Sequence, residues 1–122
     1  MPLITILVED SQTIRENLIP AMAELADANV VAVAETPAGA IAALEKHRND
    51  WQLAVVDLFL KEGSGMAVLR ACRQRSDHQH VLVLTNYPSV DMRRRCLDLG
   101  ADAVFDKSTE LEAFFECCRS YA

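Results

Sequence analysis

The fold is decided by one stretch, WQLAVVDLFL at residues 51–60, in which an aspartate stands near the end of an apolar run. Val and Leu dominate this run, as they do in strands that are buried on both faces of a parallel sheet. Burying a lone carboxylate is unfavourable by several kcal/mol unless it is paired or bound to a metal. Asp57 therefore stands either at the exposed end of the strand or where chemistry requires it.

Length and composition bound the class of protein. A chain of 122 residues suits one domain, residues 1–122, and 51% hydrophobic with 25% charged residues is an ordinary globular composition. The net charge of −6 argues against nucleic-acid binding, which needs a basic surface. No run approaches the roughly 20 apolar residues of a membrane span, and no signal peptide is evident, so we expect a cytoplasmic protein.

The cysteines predict neither a disulfide framework nor a zinc site. They form no C-x-x-C pair, and two of them are adjacent, so their side chains diverge on a helix. We expect small hydrophobic side chains in reduced surroundings, with a redox role for Cys117 or Cys118 as the alternative. The four positions are Cys72, Cys96, Cys117 and Cys118.

Apolar β-branched runs alternate along the chain with segments of helical periodicity. A capping box is predicted at Thr109 and Glu112, and the first helix has either Ser11 or Thr13 as its cap. In the fourth helix, Val90 and Leu97 are expected on the buried side, which leaves the arginines between them solvated or available to an acidic partner. The five predicted strands lie at residues 3–8, 29–34, 51–60, 80–85 and 101–105.

Five strands alternating with five helices predict a parallel sheet with helices on both faces. A flavodoxin-like open sheet and a half Rossmann unit both fit this pattern. Five strands in this length favour the flavodoxin-like fold with strand order 2-1-3-4-5. Ligands of such sheets bind beyond the carboxyl ends of the strands, where the strand order reverses.

Acidic residues follow two strands that this order makes neighbours. Glu9 and Asp10 follow the first strand and Asp57 ends the third, so the three carboxylates converge. They cannot all ionise without a cation, and their hard oxygen ligands suit Mg²⁺. The backbone carbonyl of Phe59 is expected to face the same site.

A hydroxyl and an ammonium complete the predicted site. Thr85 ends the fourth strand and can donate a hydrogen bond to an anion, and Lys107 follows the fifth strand with a positive charge. Carboxylates, a metal, a hydroxyl and a lysine together indicate phosphoryl transfer. Asp57 is then the nucleophile that forms an acyl phosphate.

In order and spacing these residues resemble the receiver domain of two-component response regulators, over essentially the whole chain. The resemblance implies that a histidine kinase or phosphotransfer protein passes a phosphoryl group to Asp57, while Glu9 and Asp10 hold Mg²⁺. Thr85 would contact the phosphoryl group and Lys107 would pair with it. The resemblance also implies a phosphorelay signalling protein and not an enzyme, although one that can catalyse its own phosphorylation and dephosphorylation.

In this family, phosphorylation rearranges the face formed by helix 4, strand 5 and helix 5, which binds partners and allows a homodimer. Thr85 is one predicted switch position, and the other is Val104, where the family usually has an aromatic residue. Lys61 and Ser108 stand where prolines are common. Phosphorylation of Asp57 is still expected with these departures. The usual coupling of the threonine to an aromatic ring is not expected to apply unchanged, because Val104 has no ring.

Other functions fit less well. A haloacid-dehalogenase-like phosphatase needs a second aspartate where Phe59 stands, and no dinucleotide-binding glycine pattern or P-loop is present. Two alternatives stay open. The first is a degenerate receiver that binds proteins without phosphorylation, and the second is the receiver part of a truncated transcription factor. Nothing resembles a linker to a further domain, so we expect a stand-alone receiver.

Overall fold

The computed structural model describes residues 2–122 and contains the predicted open sheet. Five parallel strands lie in the order β2-β1-β3-β4-β5, with helices on both faces. The flavodoxin-like prediction is therefore confirmed. The elements are β1 Leu3–Val8, α1 Gln12–Ala26, β2 Ala28–Ala34, α2 Pro37–Lys46, β3 Leu53–Val56, α3 Gly65–Ala71, β4 His80–Thr85, α4 Val90–Asp98, β5 Ala103–Asp106 and α5 Leu111–Tyr121.

The central strand β3 is buried on both faces because successive side chains enter different cores. Val56 packs into the core beneath α2, α3 and α4, and Val55 packs into the core beneath α1 and α5. Full burial of such a side chain contributes about 1.5–3 kcal/mol. The apolar run before Asp57 thus fixes the middle of the sheet.

Strand register brings the carboxyl ends of the central strands to one level. Val8 of β1 pairs with Val56 of β3, which in turn pairs with Val83 of β4. Thr85 of β4 pairs with Asp106 of β5. The residues that follow these strands therefore meet at one edge of the sheet, where β1 and β3 lie side by side.

The helix caps differ in part from the predicted ones. Ser11 caps α1 by accepting a hydrogen bond from the Ile14 amide, so Thr13 is not the cap. The capping box at Thr109 and Glu112 was wrong, because α5 begins after Glu110 with no side-chain cap. Two backbone hydrogen bonds to the Asp106 carbonyl tighten the turn there instead.

Strand β5 begins two residues later than predicted. Gly100 adopts a φ of 104°, which only glycine favours, and lets the Ala101 amide donate to the Cys96 carbonyl. Ala101 thus belongs to the turn that follows α4, and β5 starts at Ala103.

The predicted buried side of α4 was also wrong. Val90 and Leu97 are 73% and 50% exposed, whereas Cys96 is fully buried. Met92 and Leu99 complete the inward side, so the face of α4 that packs on the core is not the one that carries Val90 and Leu97.

Among residues 2–122, none of the helices has the length and apolar character that a membrane span requires.

Candidate functional site

Three carboxylates meet at the carboxyl edge of the sheet, as the sequence predicts. Glu9 and Asp10 extend from β1 and Asp57 follows β3, and a ligand oxygen of each lies within 4.8 Å of the others. Glu9 is only 2% exposed and Asp57 only 6% exposed. Buried acids at this separation repel one another and need a positive charge.

Lys107 supplies that charge from the loop after β5. Its ammonium donates to Glu9 Oε1 and, at 2.9 Å, to Asp57 Oδ2. Burial raises the pKa of Glu9, and the contact with Lys107 opposes part of that rise. Burial also lowers the pKa of Lys107, but hydrogen bonds to both acids outweigh it and leave that pKa raised. The lysine therefore stays charged.

Thr85 holds the other oxygen of Asp57. Its fully buried hydroxyl donates to Asp57 Oδ1 at 2.8 Å, and the Phe59 amide donates to the same oxygen at 3.3 Å. Both carboxylate oxygens of Asp57 thus have fixed donors. The side chain is oriented before any ligand arrives.

Backbone amides of the surrounding loops donate hydrogen bonds to two of the carboxylates. The Ser11 amide donates to Glu9 Oε2 at 3.1 Å, and the Lys61 amide donates to Asp10 Oδ2. A proline at position 61, which is common in the resembled family, has no amide hydrogen for that second bond. Because Lys61 stands in place of that proline, its amide can donate this hydrogen bond to Asp10.

Arg15 supports the site and was not found from the sequence. Its guanidinium donates to the Glu9 backbone carbonyl at 2.9 Å and pairs with Glu35 at 2.9 Å. The side chain thereby joins the ends of β1 and β2. Its place in the first turn of α1 was the only sequence signal, and many solvated arginines share it.

Gly65 permits the close approach of α3 to the site. A Cβ atom at this position would overlap the backbone carbonyl of Asp57. The Gly65 amide donates to the Leu58 carbonyl at 3.1 Å, which closes the loop after β3. No larger residue fits without moving the Asp57 backbone.

The turn that presents Lys107 is held by Asp106. The carboxylate accepts from the Ser108 amide at 2.8 Å and from the Ser108 hydroxyl at 2.6 Å. These two hydrogen bonds are the main reason that the pKa of Asp106 lies below its ordinary value. Ser108, which replaces the family's usual proline, thus has a structural role.

The second predicted switch residue lies in the core. Val104 is buried on the α4 side of β5, and its carbonyl accepts from Arg93 Nη1 at 3.0 Å. Phe105 points to the other face and packs edge-on against Phe114, with ring centroids 5.8 Å apart. A switching role for Val104 stays a prediction, as does metal ligation by the Phe59 carbonyl.

The donor set of the site fits a magnesium ion. When all are ionised, three carboxylates and one ammonium leave two uncompensated negative charges, which one divalent cation balances. All the side-chain ligands are hard oxygen atoms, as Mg²⁺ prefers.

Comparison with known proteins shows the family of the chain. The family model of the response regulator receiver domain matches residues 5–119. The transcriptional regulatory protein PmrA of Pectobacterium parmentieri is 32% identical over 111 residues. That match covers 88% of this chain and 48% of PmrA, so the chain spans about half the length of this relative.

Solved structures share the fold. A DNA-binding response regulator of the LuxR family from Staphylococcus aureus superposes with a TM-score of 0.84 at 17% identity, covering 98% of each chain. The CheX-CheY-BeF3-Mg²⁺ complex from Borrelia burgdorferi gives a TM-score of 0.80 at 16% identity, with 96% of this chain and 90% of that chain covered.

The chain belongs to the response regulator receiver domain family. Receiver domains are signalling modules of two-component systems and not classical enzymes. They bind Mg²⁺ at an acidic pocket and interact with histidine kinases or phosphotransfer proteins.

Proposed function

We propose that Asp57 is the phosphoacceptor of this receiver and that a histidine kinase or phosphotransfer protein is its donor. One observation carries the proposal. Both oxygens of Asp57 are held by hydrogen-bond donors, Thr85 on one side and Lys107 on the other, beside two further carboxylates. Convergent donors around a buried carboxylate in an acidic pocket are typical of a functional site.

In the proposed reaction, a carboxylate oxygen of Asp57 attacks the phosphorus of a phosphohistidine. An O–P bond forms while the P–N bond breaks, and the electron pair of the broken bond stays on the imidazole nitrogen. The Lys107 ammonium neutralises charge on the phosphoryl oxygens, and the Thr85 hydroxyl donates to one of them.

The proposed cofactor is Mg²⁺, held by Glu9, Asp10, Asp57 and the backbone carbonyl of Phe59. When bound, the ion neutralises the negative charge that gathers around the phosphoryl oxygens. Burial of Glu9 and Asp57 strengthens every charge interaction in the site, because little water screens it.

Phosphorylation is proposed to change the surface formed by α4, β5 and α5. The new group adds about −1.5 to −2 charges and three acceptor oxygens. Thr85 and Lys107 then exchange their bonds to Asp57 for bonds to the phosphoryl oxygens, with Thr85 and Val104 as the switch positions. The populations of two conformations shift, and a protein partner or a second copy reads the change.

The test is an intact-mass measurement after incubation with acetyl phosphate and Mg²⁺. We expect one phosphoryl adduct on the wild type and none on Asp57→Asn, which keeps the side-chain shape. A kinase donor is the second arm of the experiment. A wild type that gains no adduct from either donor would instead support a degenerate receiver that binds proteins without phosphorylation.

A second proposal concerns the whole protein. PmrA is a transcriptional regulatory protein and is about twice as long as the matched segment, which favours a receiver that serves a longer transcription factor. A stand-alone receiver in the cytoplasm is the competing proposal. The mass of the native protein purified from its own cells distinguishes the two, since only the former exceeds 13.5 kDa substantially.

A further inference from the structure

Arg93 joins α4 to two other parts of the fold. From the middle of α4, its Nη1 donates to the Val104 carbonyl of β5 at 3.0 Å. Its Nη2 pairs with Glu110 Oε1, just before α5, at 2.6 Å. The same Glu110 oxygen accepts from the Asp106 amide at 3.0 Å. We call the contacts of Arg93 with Val104 and Glu110 the Arg93 link.

Few other contacts hold α4 in place. Cys96 is its one fully buried side chain, and Met92 and Leu99 at the helix end are partly buried against the same core. A guanidinium that makes two hydrogen bonds, one to a carboxylate, is a strong polar contact. The Arg93 link therefore adds a polar attachment of α4 to β5 beside the apolar packing of Cys96.

The Arg93 link and the phosphoryl site share the carboxyl end of β5. Asp106, whose amide bonds to Glu110, directly precedes Lys107. The Lys107 amide donates to the Thr85 carbonyl at 2.9 Å, and Thr85 pairs with Asp106 in the sheet. A backbone shift at Thr85 or Lys107 would therefore be passed to Asp106, whose amide contacts Glu110.

We propose that Arg93 is the positioning residue that couples the phosphoryl site to α4 in this chain. The Arg93 link is made in the unphosphorylated domain and is released when Thr85 and Lys107 turn to the phosphoryl group. Val104 has no ring or hydroxyl with which to perform that coupling, and only its carbonyl takes part. The inference rests on the proposed phosphorylation of Asp57.

Hydrogen–deuterium exchange of α4 peptides tests the coupling. In the unmodified protein, we expect Arg93→Ala and Glu110→Gln to raise α4 exchange about threefold, the effect that a half-exposed ion pair supports. Arg93→Lys keeps the charge and should restore part of the protection. The matched control is Arg94→Ala, because Arg94 is exposed and forms no ion pair within residues 2–122.

The decisive readout is whether the substitution and phosphorylation have additive effects on hydrogen–deuterium exchange of α4. After acetyl phosphate and Mg²⁺, α4 exchange should rise in the wild type and in Arg94→Ala but hardly further in Arg93→Ala, at equal phosphoryl content by intact mass. Equal rises in all three proteins would overturn the coupling and leave phosphorylation standing. Absence of an adduct on every variant, with acetyl phosphate and with a kinase donor alike, would overturn the proposed function itself.

Discussion

The hydroxyl of Thr85 lies 2.8 Å from Asp57 Oδ1 and donates a hydrogen bond to it across two neighbouring strands. Lys107 donates to the opposite oxygen of the same carboxylate. The two donors come from different strand ends, so the geometry of Asp57 depends on the register of the sheet and not on its own loop alone. Small changes at either donor should therefore have separable effects on stability and on signalling.

Replacing Thr85 with Ala should lower the free energy of unfolding by about 1 kcal/mol, since one buried hydrogen bond is lost. Phosphorylation should persist, because the nucleophile and Lys107 remain. Urea unfolding and intact mass measure the two effects. Thr85→Ser keeps the hydroxyl and is the control, and loss of the adduct from Thr85→Ala would contradict the role given to this residue.

Replacing Lys107 with Gln should cost about 3 kcal/mol of stability, because two buried carboxylates lose the one ammonium partner that they have among residues 2–122. Added Mg²⁺ should raise the free energy of unfolding of this variant by more than it raises that of the wild type. Urea unfolding with and without the ion measures this. Lys61→Gln is the matched control, since the exposed Lys61 contacts the site only through its backbone amide.

Magnesium should stabilise the wild type by about 1.4 kcal/mol at a concentration ten times its dissociation constant, because it binds only the folded chain. Asp10→Asn removes one proposed ligand charge and should weaken this gain severalfold. Asp98→Asn, in an exposed position on α4, should leave it unchanged. Thermal unfolding across a magnesium titration shows the difference, and equal gains in all three proteins would contradict the assigned ligands.

Replacing Gly65 with Ala should destabilise the fold by roughly 2 kcal/mol and slow phosphorylation, because the new Cβ forces the Asp57 backbone to move. The same substitution at Gly39, in α2, meets only side-chain atoms at 3.3 Å or more and should change stability by less than about 1 kcal/mol. Urea unfolding and the rate of adduct formation compare the two. Similar behaviour of both variants would show that the approach at Gly65 is not tight.

The buried thiols should be unreactive in the native protein. Burial raises the pKa of Cys72 to about 11 and that of Cys118 to about 12, so their thiolate fractions stay very small near pH 8. Their reactivity should rise only as the pH approaches those values. We expect a thiol reagent at pH 8 to label the half-buried Cys117 alone, and all four cysteines in urea. Rapid native labelling of Cys118 would reopen a redox role.

The strand order and the convergence of side chains at the carboxyl edge were predictable because each depends on a local signal. An apolar β-branched run marks each buried strand, and a polar residue directly after it must lie at the carboxyl edge. Glu9, Asp57 and Lys107 follow from that rule, and the structure brings all three together.

Other features depend on distances that the sequence does not encode locally. Arg15 donates to a backbone carbonyl just after β1, and Arg93 donates to one in β5. The periodicity of the sequence does not indicate which distant carbonyls a long side chain can contact. The rotation of α4 was misjudged because Val90 and Leu97 are more hydrophobic than the Cys96 that points inward. The tight turn before Glu110 likewise replaced the predicted cap of α5.

The ammonium of Lys107 gives the acidic pocket a resident counter-ion. A chain whose buried acids depended on a metal would have to capture that metal in order to fold. Here the lysine already neutralises part of the charge within the polypeptide, so folding of the domain need not wait for an ion. The proposed Mg²⁺ would then bind reversibly, and its occupancy would follow the magnesium concentration of the surroundings while the fold stays intact.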